Sequence, residues 1–227
     1  MTPHRFPRWL ETLDRAFWIL FLVWTAIGFV VMPLGIGEAN LAQTGIPSAL
    51  KAILAWALRA GDAVWMTLGA VCVYLSVARR EGFATARLWA AVILIGSGVV
   101  EWIGATTGWP FGPYRYSDHF GNRLGGVLPF TIPLAWLVVV LAARCLVLRI
   151  APSAGRATVA LGTGLVALLT DLNLEFVAWK ARAYWIWYPD WTPELGPVPS
   201  WPPLQNYVSW FLLAALLCAL LPAPRRV

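Results

Sequence analysis

Asp171 and Glu175 stand four residues apart in one apolar run, and Glu101 stands in another with Val99, Val100, Trp102 and Ile103 around it. An i, i+4 spacing puts Asp171 and Glu175 on one face of a helix. Two carboxyl groups that close in a poor dielectric do not both ionise, which is the arrangement of a general acid with its partner base. Glu101 has no capping role to fill. Its structural alternative is an ion pair with Arg115 or Arg123, as Lys180 or Arg182 is the structural alternative for the Asp171/Glu175 pair. A fourth carboxylate, Asp62, follows Gly61 at an expected helix start, where an N-cap accounts for it. Aromatic residues are the second component. Trp102, Trp109, Tyr114, Tyr116, Trp185, Trp187, Tyr188, Trp201, Tyr207 and Trp210 map to the same side as the acids. Singly these read as interfacial anchors; together they line a groove for a long apolar molecule, and their faces suit a developing carbocation. His119, alone in a loop, reads as structural. No His/Cys/Asp set has metal spacing, no serine sits in a nucleophile elbow and no glycine-rich phosphate loop occurs. No metal or redox cofactor is expected.

The elements that must position these groups follow from composition. Of 227 residues 59% are hydrophobic and only 12% charged, against roughly 25% charged in soluble domains. A soluble fold of this length has no place to hide that apolar surface, so lipid must cover it. The net charge of +6 does not point to nucleic acid, because the basic residues sit at the ends of apolar runs and form no patch. Six runs, at about 16–32, 62–78, 88–107, 127–148, 157–177 and 204–221, approach the ~20 residues that span the hydrocarbon core. The first is longer than a signal-peptide core and lacks a clean cleavage site, so it is taken as a retained span. The expected fold is an all-α membrane bundle of about six helices in one domain, 1–227. It becomes seven if the stretch 48–59 dips into the bilayer; otherwise that stretch is an interfacial helix or the first part of a helix kinked at Gly61. Cys72, Cys145 and Cys218 lie in apolar runs and read as reduced packing residues.

Arginines fix the expected orientation. With the N-terminus inside, the inner segments collect Arg5, Arg8, Arg15, Arg79, Arg80, Arg87, Arg144, Arg149, Arg156, Arg225 and Arg226, as the positive-inside rule requires. Both termini are then cytoplasmic and the protein a multi-pass cell-membrane protein. Glu101 lies about fourteen residues above Arg87, and Asp171 about fifteen above Arg156. At about 1.5 Å per residue both sit roughly 20 Å above the inner boundary, with Asp62 and Glu175 slightly higher. The carboxylates therefore share the non-cytoplasmic third of the membrane and must face the bundle interior or a hydrated cavity. The outer loops, about 109–126 and 178–203, are rich in aromatic, Gly and Pro residues, a composition that folds over a site. No internal repeat of fixed period is evident.

Several blocks in order carry a resemblance. They are Glu101-Trp-Ile-Gly104, Gly108-Trp-Pro-Phe-Gly112-Pro-Tyr114-Arg-Tyr116, and Pro129 to Trp136. In the second half come Asp171, Leu174-Glu175, Trp185-x-Trp187, and Pro203-x-Gln205-Asn206-Tyr-x-x-Trp210. Over roughly 95–212 the chain resembles the membrane carotenoid 1',2'-hydratases (CruF-type), which include the bisanhydrobacterioruberin hydratases. It departs from their pattern at Phe176, where proline is usual, at Ser209, where glycine is usual, and at Pro-Val-Pro-Ser-Trp ahead of Asn206. These departures bear on substrate preference more than on chemistry.

The resemblance implies a cofactor-independent hydro-lyase that adds water to the terminal 1,2 double bond of an acyclic carotenoid end, giving a tertiary alcohol. The substrate would be a lycopene-, gamma-carotene- or bacterioruberin-precursor-like polyene taken from the bilayer, with other pigment enzymes as possible neighbours and no nucleic acid. Asp171/Glu175 would supply the acid and Glu101 position the water, or the reverse. Trp102, Tyr114, Tyr116, Trp185, Trp187, Asn206 and Trp210 would bind substrate. The rival readings are a proton-coupled transporter, which intramembrane carboxylates also serve, and a non-catalytic scaffold for pigment enzymes. A metal-dependent prenyl transferase is disfavoured, because Asp171-x-x-x-Glu175 is too sparse for its aspartate-rich motif.

Overall fold

The structure is a computed structural model, and its described residues are 7–31, 41, 44–188 and 201–222. Arg5, Arg225, Arg226 and most of the Pro-Val-Pro-Ser-Trp segment fall outside them. Among the described residues six helices make a membrane bundle: α1 (Arg8–Val31), α2 (Ser48–Glu81), α3 (Phe83–Thr107), α4 (Thr131–Ile150), α5 (Arg156–Glu175) and α6 (Leu204–Leu220). The first five are long and apolar enough to cross a bilayer. Helix α6, with 17 residues, is about 26 Å long.

Helix α1 is bound mainly to α2. Only its Leu10 and Asp14 are buried, while Leu22, Phe29 and Val30 are more than half exposed, as a lipid-facing surface should be. Three of its polar side chains reach α2. Asp14 pairs with Arg79, Trp18 Nε1 donates to Ser76 Oγ at 3.2 Å, and Trp24 Nε1 donates to the Gly61 carbonyl at 3.0 Å.

Helix α2 settles one open reading and corrects another expectation. Its 34 residues extend about 50 Å, more than the hydrocarbon thickness of about 30 Å. The stretch 48–59 is therefore the beginning of one long helix and adds no seventh crossing. Asp62 is not an N-cap either: the helix starts after Pro47, and Asp62 lies well inside it, paired with Arg182.

The bundle core holds Ile93, Trp136, Val140, Ala167 and Leu217. Helices α5 and α6 approach closely, because Gly164 lets the Phe211 carbonyl oxygen come within 2.6 Å of where a Cβ would sit. At the arginine-rich end, Arg144 donates to the Pro222 carbonyl at 2.6 Å and Arg156 Nε to that of Ala219 at 3.1 Å. Cations thus meet the unpaired carbonyls at the C-terminus of α6. Cys72 and Cys218 are buried packing residues, whereas Cys145 is exposed; all three are free thiols.

The opposite end is roofed. After α3 the chain turns at Gly108 and runs through β1 (Tyr114–Tyr116) and a hairpin of β2 (Arg123–Leu124) and β3 (Leu128–Pro129) into α4. After α5 the helix widens into a turn with i→i+5 bonding (Phe176–Ala181) and leads to β4 (Trp185–Trp187). Strands β1 and β4 pair antiparallel, Tyr114 opposite Trp187, Arg115 opposite Ile186 and Tyr116 opposite Trp185. The roof seats directly on α3. A Cβ on Gly104 would lie 2.6 Å from the Phe111 ring and 2.9 Å from the Tyr114 hydroxyl, so only glycine admits the contact.

Candidate active site

Alternating residues of a strand share one face, so Tyr114-x-Tyr116 and Trp185-x-Trp187 each aim two side chains the same way. On β1 the target is Glu101 of α3. Glu101 Oε2 accepts from Tyr114 Oη at 2.7 Å and Tyr116 Oη at 2.6 Å, and Oε1 accepts from Trp136 Nε1 of α4 at 2.8 Å. On β4 the target is Glu175. Its Oε2 accepts from Trp185 Nε1 and Trp187 Nε1, each at 3.2 Å, and Oε1 accepts from Asn206 Nδ2 of α6 at 3.2 Å.

The two clamps are one design used twice. In each, a glutamate near the end of a helix receives two donors from the following strand and a third from the following helix. The separations are 13, 15 and 35 residues for Glu101 and 10, 12 and 31 for Glu175. An approximate two-fold relation passing through the Arg115–Ile186 pair exchanges the strands. The order α3–β1–α4 is thus matched by α5–β4–α6, a repeat of the hydrogen-bonding pattern. Unequal connections, with the β2–β3 hairpin in one half only, remove any fixed period from the sequence.

Asp171 breaks the pattern. It is fully buried, and Asn206 Nδ2 donates to its Oδ2 at 2.8 Å, so a single amide bridges Asp171 and Glu175. Its other oxygen, Oδ1, has no hydrogen-bond partner. Glu101 is near enough for its charge to act on Asp171. None of the three carboxylates is paired with a cation among the described residues. Arg123 bonds Asp118 instead at 2.7 Å, Arg115 lies over the Tyr188 ring, Arg182 pairs with Asp62 and Lys180 lies over Trp179. Burial, and after it the negative charge of Glu101, hold the Tyr114 and Tyr116 phenols well above their usual range, so both remain donors.

Aromatic rings close the remaining sides. Trp136 and Trp210 stack with centroids 4.3 Å apart, and Tyr114 lies 5.2 Å from both Tyr116 and Trp187. Ser209 Oγ donates to the Pro110 carbonyl at 2.9 Å, so the serine that departs from the family pattern ties the roof to α6. Phe176, another departure, is exposed and meets Trp201 edge-on at 5.8 Å.

Of the residues singled out above, Glu101, Asp171, Glu175, Tyr114, Tyr116, Trp185, Trp187, Asn206 and Trp210 are brought together. Trp102 is not. One residue beyond Glu101 on the helix, it turns outward, is 39% exposed and lies under Gly125 of the hairpin. Trp136 supplies the third donor to Glu101, a role the sequence did not reveal because a tryptophan inside an apolar run looks like any core residue. His119 is peripheral, with Nδ1 3.3 Å from the Arg182 carbonyl. It borders a cavity of about 1040 Å³ between α2 and the roof.

A membrane bundle roofed over acids that meet aromatic and amide donors instead of cations defines a polytopic membrane protein with a buried acid cluster at one end. The chain belongs to the carotenoid biosynthesis protein family, which it matches over residues 61–224. It is similar to the bisanhydrobacterioruberin hydratase of Haloarcula japonica, 34% identical over 142 residues. Those residues are 62% of this chain and 44% of the relative, so the match spans under half of that protein. No solved structure matches the chain.

Proposed function

We propose that the protein is a carotenoid hydratase that adds water across the terminal carbon–carbon double bond of an acyclic end group. The observation that carries this reading is the hydrogen-bond arrangement around the acids. Each oxygen of Glu101 and Glu175 already accepts at least one N–H or O–H donor. Only Asp171 Oδ1 meets none, so it is the atom on which the cluster carries its proton.

The reaction follows from that assignment. The Oδ1–H proton of Asp171 forms a C–H bond at the less substituted alkene carbon, and the π electrons leave a tertiary cation on its neighbour. The faces of the surrounding indoles and phenols stabilise that charge. A water held by Glu101 forms the C–O bond and sheds a proton to that carboxylate. The proton returns to Asp171, so the net change is addition of one water. Glu175 and Asn206 hold Asp171 in place. The polyene would enter from the bilayer, which surrounds the bundle on all sides.

The orientation reading agrees with this scheme. Arg79, Arg80, Arg87, Arg144, Arg149 and Arg156 cluster at the helix ends away from the roof, which through the positive-inside rule supports a site in the non-cytoplasmic half. The repeated pattern also suits a proton-coupled carrier, and one experiment separates the two. The protein is expressed in cells that accumulate an acyclic carotenoid, in isotopically labelled water. A hydratase yields a carotenoid heavier by one labelled water. Unchanged pigment, with the protein present in the membrane, overturns the reading.

A further inference from the structure

Helix α3 buries the stripe Trp89, Ile93, Ser97, Glu101 and Gly104. Ser97 is 0% exposed, and its hydroxyl has no hydrogen-bond partner. That is unusual within this bundle. Thr25, Thr67, Thr163 and Thr170 all return their hydroxyls to the carbonyl one turn earlier, the default for a helix hydroxyl in an apolar setting. Ser97 has the same option and does not take it, leaving a buried polar group without a partner in the protein.

The repeat shows where this serine belongs. Asp171 precedes the clamped Glu175 by four residues, and Ser97 precedes the clamped Glu101 by four. The two are equivalent positions of the two halves, both fully buried and each with an oxygen to spare. Residues one turn apart have their Cβ atoms about 6 Å from each other, a gap that one bridging water fits. Glu101 Oε1 accepts a single donor, from Trp136, and a carboxylate oxygen has room for two.

We propose that Ser97 positions the nucleophilic water, donating its hydroxyl hydrogen to the water oxygen while the water donates to Glu101 Oε1. This rests on the hydratase reading and gives the two equivalent positions complementary parts, Asp171 as the source of the proton and Ser97 as the holder of the oxygen. Capture of the cation forms the C–O bond, and the water's proton passes to Glu101. Without a positioned water the cation has one other exit, loss of a C–H proton, which returns the alkene or shifts the double bond to a neighbouring carbon.

The test is Ser97→Ala assayed with an acyclic carotenoid in deuterated water, alongside its melting temperature. Alcohol formation is expected to fall about tenfold or more, while deuterium in recovered and double-bond-shifted alkene rises relative to alcohol. The melting temperature should hold, since the hydroxyl makes no hydrogen bond to the protein. Ser97→Cys, which keeps the volume with a weaker donor, should shift the product ratio the same way, and the ratio is read on whatever protein folds. An unchanged ratio of alcohol to deuterated alkene in both variants overturns the assignment. Absence of alcohol from the wild-type protein would overturn the hydratase reading itself, so the two failures are distinguishable.

Discussion

Replacing Asp171 by asparagine and Glu175 by glutamine separates the chemistry from the architecture. In Asp171→Asn the new amide keeps its oxygen toward Asn206, which donated to Oδ2 at 2.8 Å. Its NH2 falls at the Oδ1 site, where no donor opposes it. No hydrogen bond is lost, so stability should change by less than about 1 kcal/mol. The proton is lost, and removal of a general acid is worth about 10²–10⁴ in rate. Glu175→Gln behaves in the opposite way. Both of its oxygens accept, Oε2 from two indoles and Oε1 from Asn206, so in either orientation the new NH2 meets a donor. Losing a hydrogen bond to a charged group costs about 1.5–3 kcal/mol, or roughly 3–12 °C in melting temperature for a chain of this size. Thermal unfolding in detergent and hydration of an acyclic carotenoid in membranes supply the two readouts. The reasoning fails if Asp171→Asn keeps more than about a tenth of the wild-type rate, or if the two variants melt together.

Three further outcomes are expected. Tyr116→Phe deletes one of three donors to Glu101, so hydration and melting temperature should both fall, the latter by an amount matching about 1.5–3 kcal/mol; an unchanged rate would remove Glu101 from the mechanism. Gly104→Ala puts a methyl group 2.6 Å from the Phe111 ring and must lift the roof, at a cost of about 1–3 kcal/mol, with the hydration rate showing the larger loss. Asp62→Asn weakens the tie to Arg182 at the roof's edge, a half-buried pair worth about 1 kcal/mol; melting should drop by about 2–4 °C with hydration largely kept, since Asp62 lies outside both clamps.

Much of the site was legible because burying a carboxylate is so costly that its mere presence in an apolar run is a signal. Run lengths gave the spans, and counting from the arginines placed Glu101 and Asp171 at one depth. What pairs with them was not legible. Arg115, Arg123, Lys180 and Arg182 looked like available counter-ions, yet the partners are neutral indoles, phenols and an amide, whose donor role depends on strand pairing across about seventy residues. The alternation in Tyr114-x-Tyr116 and Trp185-x-Trp187 was a strand signal of three residues each, too short to outweigh an interfacial belt. Asp62 misled because Gly61 resembles a helix boundary, whereas the helix runs on and the Gly61 carbonyl accepts the Trp24 indole. Trp102 was grouped with the site because it maps to the same side as the acids, but it follows Glu101 directly, and neighbouring helix residues point about 100° apart.

The repeated clamp bears on how such a site arises. Two identical subunits around a two-fold axis would carry the same residue at both positions preceding the clamped glutamates, two aspartates or two serines. Joining both halves in one polypeptide lifts that constraint, and each copy is then free to diverge alone. Here one half carries an acid and the other a hydroxyl, a difference that no symmetric pair of identical chains can encode.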